Sequence, residues 1–599
     1  MRTLSYIAFF LFLSNGLSGQ SSVQYSKKSY QIEAAPSSNS FTQTIQYKGI
    51  YPANHQEAIN IYYGELDEIK GLTVRYRNAR GKWKTVSKKN ISSSAVNTQS
   101  FYDGVRKLSF TLDKQDRAFP FEVNYQMLTK DLMFLATISF RDKGMVDTFD
   151  YNIVVPKGHV LQYKTDEPSE AQIAIKETEE SQHKLYRFFS DRAMRTLDMD
   201  AETIRVRMMV HPKEVLPFDH FNDWYRELVQ PHSRINSNTI TAMESAIEGI
   251  SNDNEKIKTI FQLVQNKISY ISFESGIGAV QPRDVNQIFE YKQGDCKDMG
   301  NLLCQSLKHF GYEAYMAISS TVSHRYDLDF PCLASANHAI CVIKINDEWK
   351  YLDATESHGI YGYPSRQIQD RNIFIINDTE GLLHKVEKVA AENNRANYDF
   401  HFVQNKNSLD GDFNFQLNGL SQIDFVYIQN YSTADKANNV LTRYLESWAK
   451  NIEVEAVDIA TDLLTTALSG AVKTSKNFTA LKQKTYLSLN FLPKPELSEQ
   501  QLKEEDQIVT YQAVNNHYNI VIDLEEDVRL QEFTPVTFEE NGMKFQFKVS
   551  QENPTQLNVN YHYYNEHILI KDSLIESYNK INHLIEETLQ KSIIYDTKT

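Results

Sequence analysis

Residues 291–311 read YKQGDCKDMGNLLCQSLKHFG, and the reading of this stretch decides the fold. Gly294 and Asp295 are turn and cap types, Met299, Leu302, Leu303, Leu307 and Phe310 follow at helical spacing, and Gly311 is a stop signal. The pattern predicts a helix whose first turn contains Cys296. There the unsatisfied N–H groups and the positive end of the macrodipole favour a thiolate, the nucleophilic form of cysteine. The same amides suit an oxyanion formed during acyl transfer. Taken alone, a helix-start cysteine is better read as a small buried residue. Cys304 lies about 12 Å further along the helix and cannot pair with Cys296 inside it. It reads as core, like Cys341, with Cys332 or Cys341 as its partner if it forms a disulfide.

A second stretch changes the weight of the first. NHAICVIKINDEWKYLDAT, 337–355, reads as a β-hairpin turning at Asn346-Asp347. A two-residue loop pairs Ile345 with Glu348, which sets His338 opposite Thr355 and makes Asp353 a diagonal neighbour of His338 on the same face. Thiolate, imidazole and orienting carboxylate are the nucleophile, base and orienter of covalent acyl-transfer catalysis. Order and residue types alone do not bring the helix to the hairpin.

The segment from about Asn222 to Asn377 resembles the transglutaminase-like family. GDCKD at 294–298, NHAI at 337–340 and LDAT at 352–355 stand in the family's order, after a helix ending in ISY. The resemblance implies a papain-like fold, a helix packed on an antiparallel sheet with the cysteine at their junction. It implies Cys296 as nucleophile, His338 as general base and then acid, and Asp353 as orienter. Gln281, in GAVQPRD, is a candidate oxyanion donor by the same analogy and otherwise a solvated loop residue. His358, Tyr361 and Tyr363, just after the Asp353 strand, are candidates for a substrate cleft or for turn packing. Asp327, Asp329 and Asp378 lack the regular spacing of a calcium loop. A zinc site on Cys296 and His338 lacks a further ligand at short spacing. No cofactor or metal is expected.

The rest of the chain frames this segment. Its 599 residues suffice for several cores. Residues 1–19, one Arg followed by an apolar run and small residues, read as a signal peptide, with no lipobox cysteine at the cut. This places the protein in the periplasm or envelope of a Gram-negative bacterium, with no transmembrane segment after cleavage. An excess of 77 Asp+Glu over 63 Lys+Arg, net charge -14, argues against nucleic-acid and anionic-membrane partners.

Residues 20–220 alternate in short Val-, Ile-, Phe- and Tyr-rich runs, such as KGLTVRYRNARGKWKTV, FPFEVNYQML, LMFLATISF, DTFDYNIVV and TIRVRMMV. They read as an antiparallel β-sandwich, similar in placement to the domain of unknown function that precedes such cores in exported proteins. Residues 221–385 form an α+β domain. SNDNEKIKTIFQLVQNKISY supplies a helix capped by Ser251 or Asp253. Residues 386–599 return to β, with a helical stripe of Val440, Leu441, Tyr444, Leu445 and Trp448 and a final helix from Asp572 to Ile594.

The whole is therefore a multidomain α+β protein. The expected activity is exported acyl transfer on an amide of a peptide or protein, as protease, amidase, deamidase or amine acyltransferase. The alternative is a non-catalytic envelope binding or assembly protein that keeps the scaffold.

Overall fold

The computed structural model describes residues 23–597 apart from 97–103, 141–144, 167–172, 192–204, 274–275, 358, most of 424–451, 462–464 and 493–506. The expected leader, and Val440, Leu441, Tyr444 and Trp448, lie outside the described residues. The chain divides into two compact units, Met1–Thr355 with Arg371–Lys385, and Glu356–Asp370 with Val386–Thr599.

The first unit opens with a nine-stranded sheet. Its path runs Ala174–Glu179, His183–Ser190, Phe149–Pro156, Gln24–Ala35, Ser40–Tyr51, Phe119–Thr129, Asp67–Arg77 and Trp83–Thr85. Phe119, Phe121, Val123 and Tyr125 turn inward at period two, the mark of a half-buried strand. In the RNARGK turn the Asn78 side chain accepts from the amides of Arg80 and Lys82, which lets Arg77 pair with Trp83. Gln24–Ala35 and Phe149–Pro156 run parallel, a pairing made across a long excursion of chain. LMFLATISF, read as one strand, splits into a 3-10 turn, Leu132–Phe134, and a short strand, Thr137–Ser139, because the Asp131 side chain captures the Met133 amide. That short strand joins Arg205–Pro212, which pairs in turn with His159–Asp166.

Five helices follow: α1 (Pro217–Val229), α2 (Ser237–Ala246), α3 (Asp253–Lys267), α4 (Val285–Tyr291) and α5 (Cys296–His309). The buried stripe of α3 is Ile257, Ile260, Phe261 and Val264, and its cap is Asn252, accepting from the Glu255 amide, rather than Ser251 or Asp253. An antiparallel sheet completes this part in the order Glu348–Leu352, His338–Ile345, Ala314–Ser319, Asn372–Ile375, Leu382–Lys385. Ile345 pairs with Glu348, and the turn residues Asn346 and Asp347 take φ of 50° and 65°, the two positive values a type I′ turn demands. Helix α5 lies on the His338 strand so closely that a Cβ at Gly300 would stand 3.2 Å from the Ile340 carbonyl carbon. Any larger residue there would force the Ile340 backbone to give by a few tenths of an ångström.

The second unit is built on an eight-stranded sheet running from Ile452–Thr461 to Val536–Glu540, with Arg395–Asn405 and Val514–Asp523 parallel at its middle. Helix α6 (Ser573–Gln590) buries Tyr578, Ile581, Ile585 and Leu589 in this unit's core. It ends at Gln590 rather than Ile594, because Ser592–Thr597 is a strand that pairs with Lys484–Ser488 and buries Ile593. Among the described residues no helix is long and apolar enough to cross a membrane.

Candidate active site

The start of α5 is held by reciprocal capping. The Asp295 carboxylate accepts from the Asp298 amide at 3.3 Å, and the Asp298 carboxylate accepts from the Asp295 amide at 3.1 Å. Two orphan donors of the helix start are satisfied in this way. Cys296 is the first helical residue and is partly exposed, whereas Cys304, Cys332 and Cys341 are buried; all four are free thiols.

Charged side chains pack around this turn. The buried Lys297 ammonium pairs with Asp295 and donates to the Phe273 carbonyl at 3.3 Å. Arg283 holds Asp298 through its backbone amide at 2.7 Å and its guanidinium at 2.5 and 3.0 Å, while the same guanidinium stacks 3.8 Å from the Phe273 ring centre. Two acids and two bases thus balance at the base of the Cys296 turn. Burial pushes the Asp295 carboxyl up to about 6 against the pull of Lys297. Burial alone would lower the Lys297 ammonium, but Asp295 and Cys296 outweigh it and hold the pKa above the ordinary lysine value. Tyr225 of α1 is buried against the same turn, its hydroxyl pushed up by burial and by Cys296, Asp295 and Asp298.

The hairpin brings its two residues together. His338 Nε2 meets Asp353 Oδ2 at 2.8 Å, both side chains buried, and Asp353 Oδ1 accepts from the Thr355 hydroxyl at 2.6 Å and its amide at 3.1 Å. Cys296 also acts on the same imidazole, favouring its cationic form. With Nε2 on Asp353, Nδ1 is the ring nitrogen left for sulfur. Burial works against the imidazolium, yet the Asp353 carboxylate and Cys296 outweigh it and raise the His338 pKa well above the usual histidine range.

The other candidates are placed elsewhere or otherwise engaged. Gln281 Nε2 donates to the Leu228 carbonyl of α1 at 3.4 Å. Tyr361 is buried in the Glu356–Asp370 segment, which belongs to the second unit, and Tyr363 lies in the same segment. His358 lies outside the described residues. Asp327 accepts from the Leu328 and Asn372 amides at 2.8 and 2.9 Å, and Asp329 pairs with Lys164 and Arg207, so both carboxylates serve the protein's own donors and cations. Cys304 of α5 and Cys341 of the His338 strand are both fully buried and read as core. Sequence reasoning found Asp295 as the cap but missed Arg283 and Lys297 as site-shaping residues; the alternation of charge in GDCKD around the cysteine was the available signal for Lys297.

Comparison with known proteins agrees with this architecture. The profile of the transglutaminase-like superfamily matches residues 241–354. No curated protein matches the chain. The crystal structure of "a putative protease" from Parabacteroides distasonis shares the fold, with TM-score 0.58 and 10% identity over 96% of this chain and 99% of that one. A second similar structure, "a putative cysteine protease" from Cytophaga hutchinsonii, has 11% identity and TM-score 0.16 over 53% of this chain and 78% of that one. Residues 241–354, which hold Cys296, His338 and Asp353, are a transglutaminase-like superfamily domain.

Proposed function

We propose that the protein is a cysteine-dependent acyl-transfer enzyme acting on amide bonds of a peptide or protein, and that it works at the cell envelope after export. The observation that carries this reading is the buried His338–Asp353 pair at 2.8 Å on a strand against which α5 packs, with the partly exposed Cys296 as the first residue of α5. The Cys296 thiolate attacks the amide carbonyl carbon and the carbonyl electrons move to oxygen. The first backbone amides of α5, beside Cys296, are donors of the kind such an oxyanion takes. Collapse breaks the C–N bond, and the His338 imidazolium gives its proton to the departing amine, leaving a thioester on Cys296. The imidazole, now neutral, takes a proton from the incoming acceptor, which attacks the thioester and expels the Cys296 thiolate, restoring the thiolate–imidazolium pair. Asp353 keeps the ring oriented and supports its cationic form.

With water as acceptor the enzyme is a protease, amidase or deamidase; with a lysine amine it forms a crosslink. The description of the Parabacteroides neighbour as a protease supports water as the first acceptor to test. The experiment is mass spectrometry of envelope proteins incubated with wild type and with Cys296→Ala. Cleaved chains, loss of ammonia, or new crosslinks that vanish with the substitution support the reading. Identical products in both samples overturn it in favour of a binding or assembly role.

A further inference from the structure

The strand Ala314–Ser319 and the His338 strand are joined by residues 320–337, a long connection in which Ser320, Val322, Leu328, Cys332 and Ser335 are each 1% exposed or less while Ser323, Arg325 and Asp329 reach solvent. A buried loop carries backbone polar groups that must find partners away from water. Here charged side chains supply many of them. Arg371 donates to the Val322 and His324 carbonyls at 2.5 and 2.9 Å. Asp327 gathers its own loop and the Asn372 backbone, and His324 meets the Ala334 carbonyl at 3.0 Å, its imidazole pushed down to about 4 chiefly by burial. The Asn337 side chain closes the loop on Thr321, accepting from its amide at 2.7 Å and donating to its hydroxyl at 2.8 Å. The next residue is His338.

One further charge comes from the amino-terminal β region. Arg207 belongs to the strand Arg205–Pro212 of the amino-terminal β region and is 2% exposed. Its Nη1 donates to the Ser335 hydroxyl at 2.9 Å, to Asp329 Oδ1 at 3.0 Å and to the Asp327 carbonyl at 3.3 Å, and its guanidinium sits 4.5 Å over the Tyr326 ring. Lys164, from the adjacent strand, takes the other Asp329 oxygen at 2.5 Å. Ser335 closes the last turn of the loop, Leu333–Ser335, three residues before His338. A buried arginine that spans a loop in this way costs desolvation that only well-aligned partners offset. Planar, multidentate donation is what guanidinium does and ammonium does not.

We propose that Arg207 is a positioning residue for His338, so that the amino-terminal β region is a working part of the acyl-transfer site and not an appended module. It acts through Ser335 and the 320–337 loop to set the imidazole against Cys296. This rests on the catalytic reading above.

The test is the pH dependence of iodoacetamide labelling at Cys296 in the full chain, for wild type, His338→Ala, Arg207→Ala, Arg207→Lys and Ser335→Ala. Circular dichroism and Tm are followed in parallel. With Arg207→Ala the profile is expected to move toward that of His338→Ala, with about a tenfold loss of labelling rate near pH 6, the equivalent of one pKa unit. Guanidinium ion in the millimolar range restores the rate, whereas equal sodium chloride or urea does not. Arg207→Lys restores it only in part. If Arg207→Ala fails to fold, Ser335→Ala decides: a move in the same direction upholds the proposal, and a wild-type profile overturns it. A folded Arg207→Ala protein with the wild-type profile also overturns it. If wild type and His338→Ala coincide, the catalytic reading falls and takes this inference with it.

Discussion

His338 and Asp353 meet at 2.8 Å across a hairpin register in which neither faces the other directly. The ladder pairs Cys341 with Leu352, so continued outward it would set His338 against Thr355, and Asp353 reaches the ring on the diagonal. That leaves the second Asp353 oxygen for the Thr355 hydroxyl and amide. Asp353→Asn preserves the shape and removes the charge. In a Ser-His-Asp enzyme the matching change costs about 10⁴ in kcat. A loss of about 10³–10⁴ in turnover of any amide substrate found, with far-UV circular dichroism unchanged, is the expected outcome. A loss under tenfold would show that Asp353 does no more than pack.

The raised His338 pKa is also a statement about stability. A histidine whose folded pKa exceeds its unfolded value binds its proton more tightly when native, so its contribution is complete below about pH 6.5 and is lost as pH rises through the folded pKa. Urea unfolding of wild type and His338→Gln between pH 5 and 10 measures this. The stability difference in favour of wild type should be largest at the acid end and shrink toward the alkaline end. A difference that grows with pH would contradict the ion-paired imidazole.

The hairpin and α5 were legible because local chemistry decides them. Two residues at the Asn346-Asp347 turn fix a register with no help from the rest of the chain, and the Asp295 and Asp298 types sit at capping-box spacing. Where several local choices are equivalent, tertiary structure chose. Ser251, Asn252 and Asp253 are all good caps, and Asn252 won. The apolar period that runs through α6 continues into Ile593, but pairing with Lys484–Ser488 turns that residue into strand. The parallel pairing of Gln24–Ala35 with Phe149–Pro156 depends on contacts far apart in sequence, which no window of residues contains. Buried Arg207 and Lys297 were invisible for a different reason: a charged residue reads as surface until its partners are known.

Gly300 separates helix propensity from packing. Alanine gains about 1 kcal/mol over glycine in an open helix. Here its Cβ would press on the Ile340 backbone at 3.2 and 3.4 Å, in a strand paired on both sides, where the neighbour has little room to yield. Overpacking of this kind costs about 1–3 kcal/mol. Gly300→Ala is therefore expected to lower stability by about 1 kcal/mol net, and Gly300→Val by more, by chemical denaturation. Because the displaced surface ties α5 to the His338 strand, Cys296 labelling near pH 6 should fall with it. A Gly300→Ala protein more stable than wild type would mean that the helix rides further from the sheet than these distances give.

The Asp295–Lys297 pair beside Cys296 tests how much of the site's rigidity is electrostatic. Both side chains are under 5% exposed, and Asp295 also accepts from the Asp298 and Phe273 amides at 3.3 Å each. Removing one partner of such a pair leaves an uncompensated buried charge and costs about 3–5 kcal/mol. Lys297→Met should lose that much near neutral pH. It should recover part of the loss toward acid, where Asp295, already pushed up to about 6 by burial and then released from the lysine, takes a proton. The double variant Asp295→Asn with Lys297→Met removes both charges while the asparagine side-chain oxygen can still receive the Asp298 amide. It should be more stable than Lys297→Met alone. A double-mutant cycle in urea at pH 5 and pH 8 reads the coupling directly. Strong coupling at pH 8 that weakens at pH 5 is expected; equal coupling at both would show that Asp295 stays ionised throughout and that the helix cap, not the lysine, holds its charge.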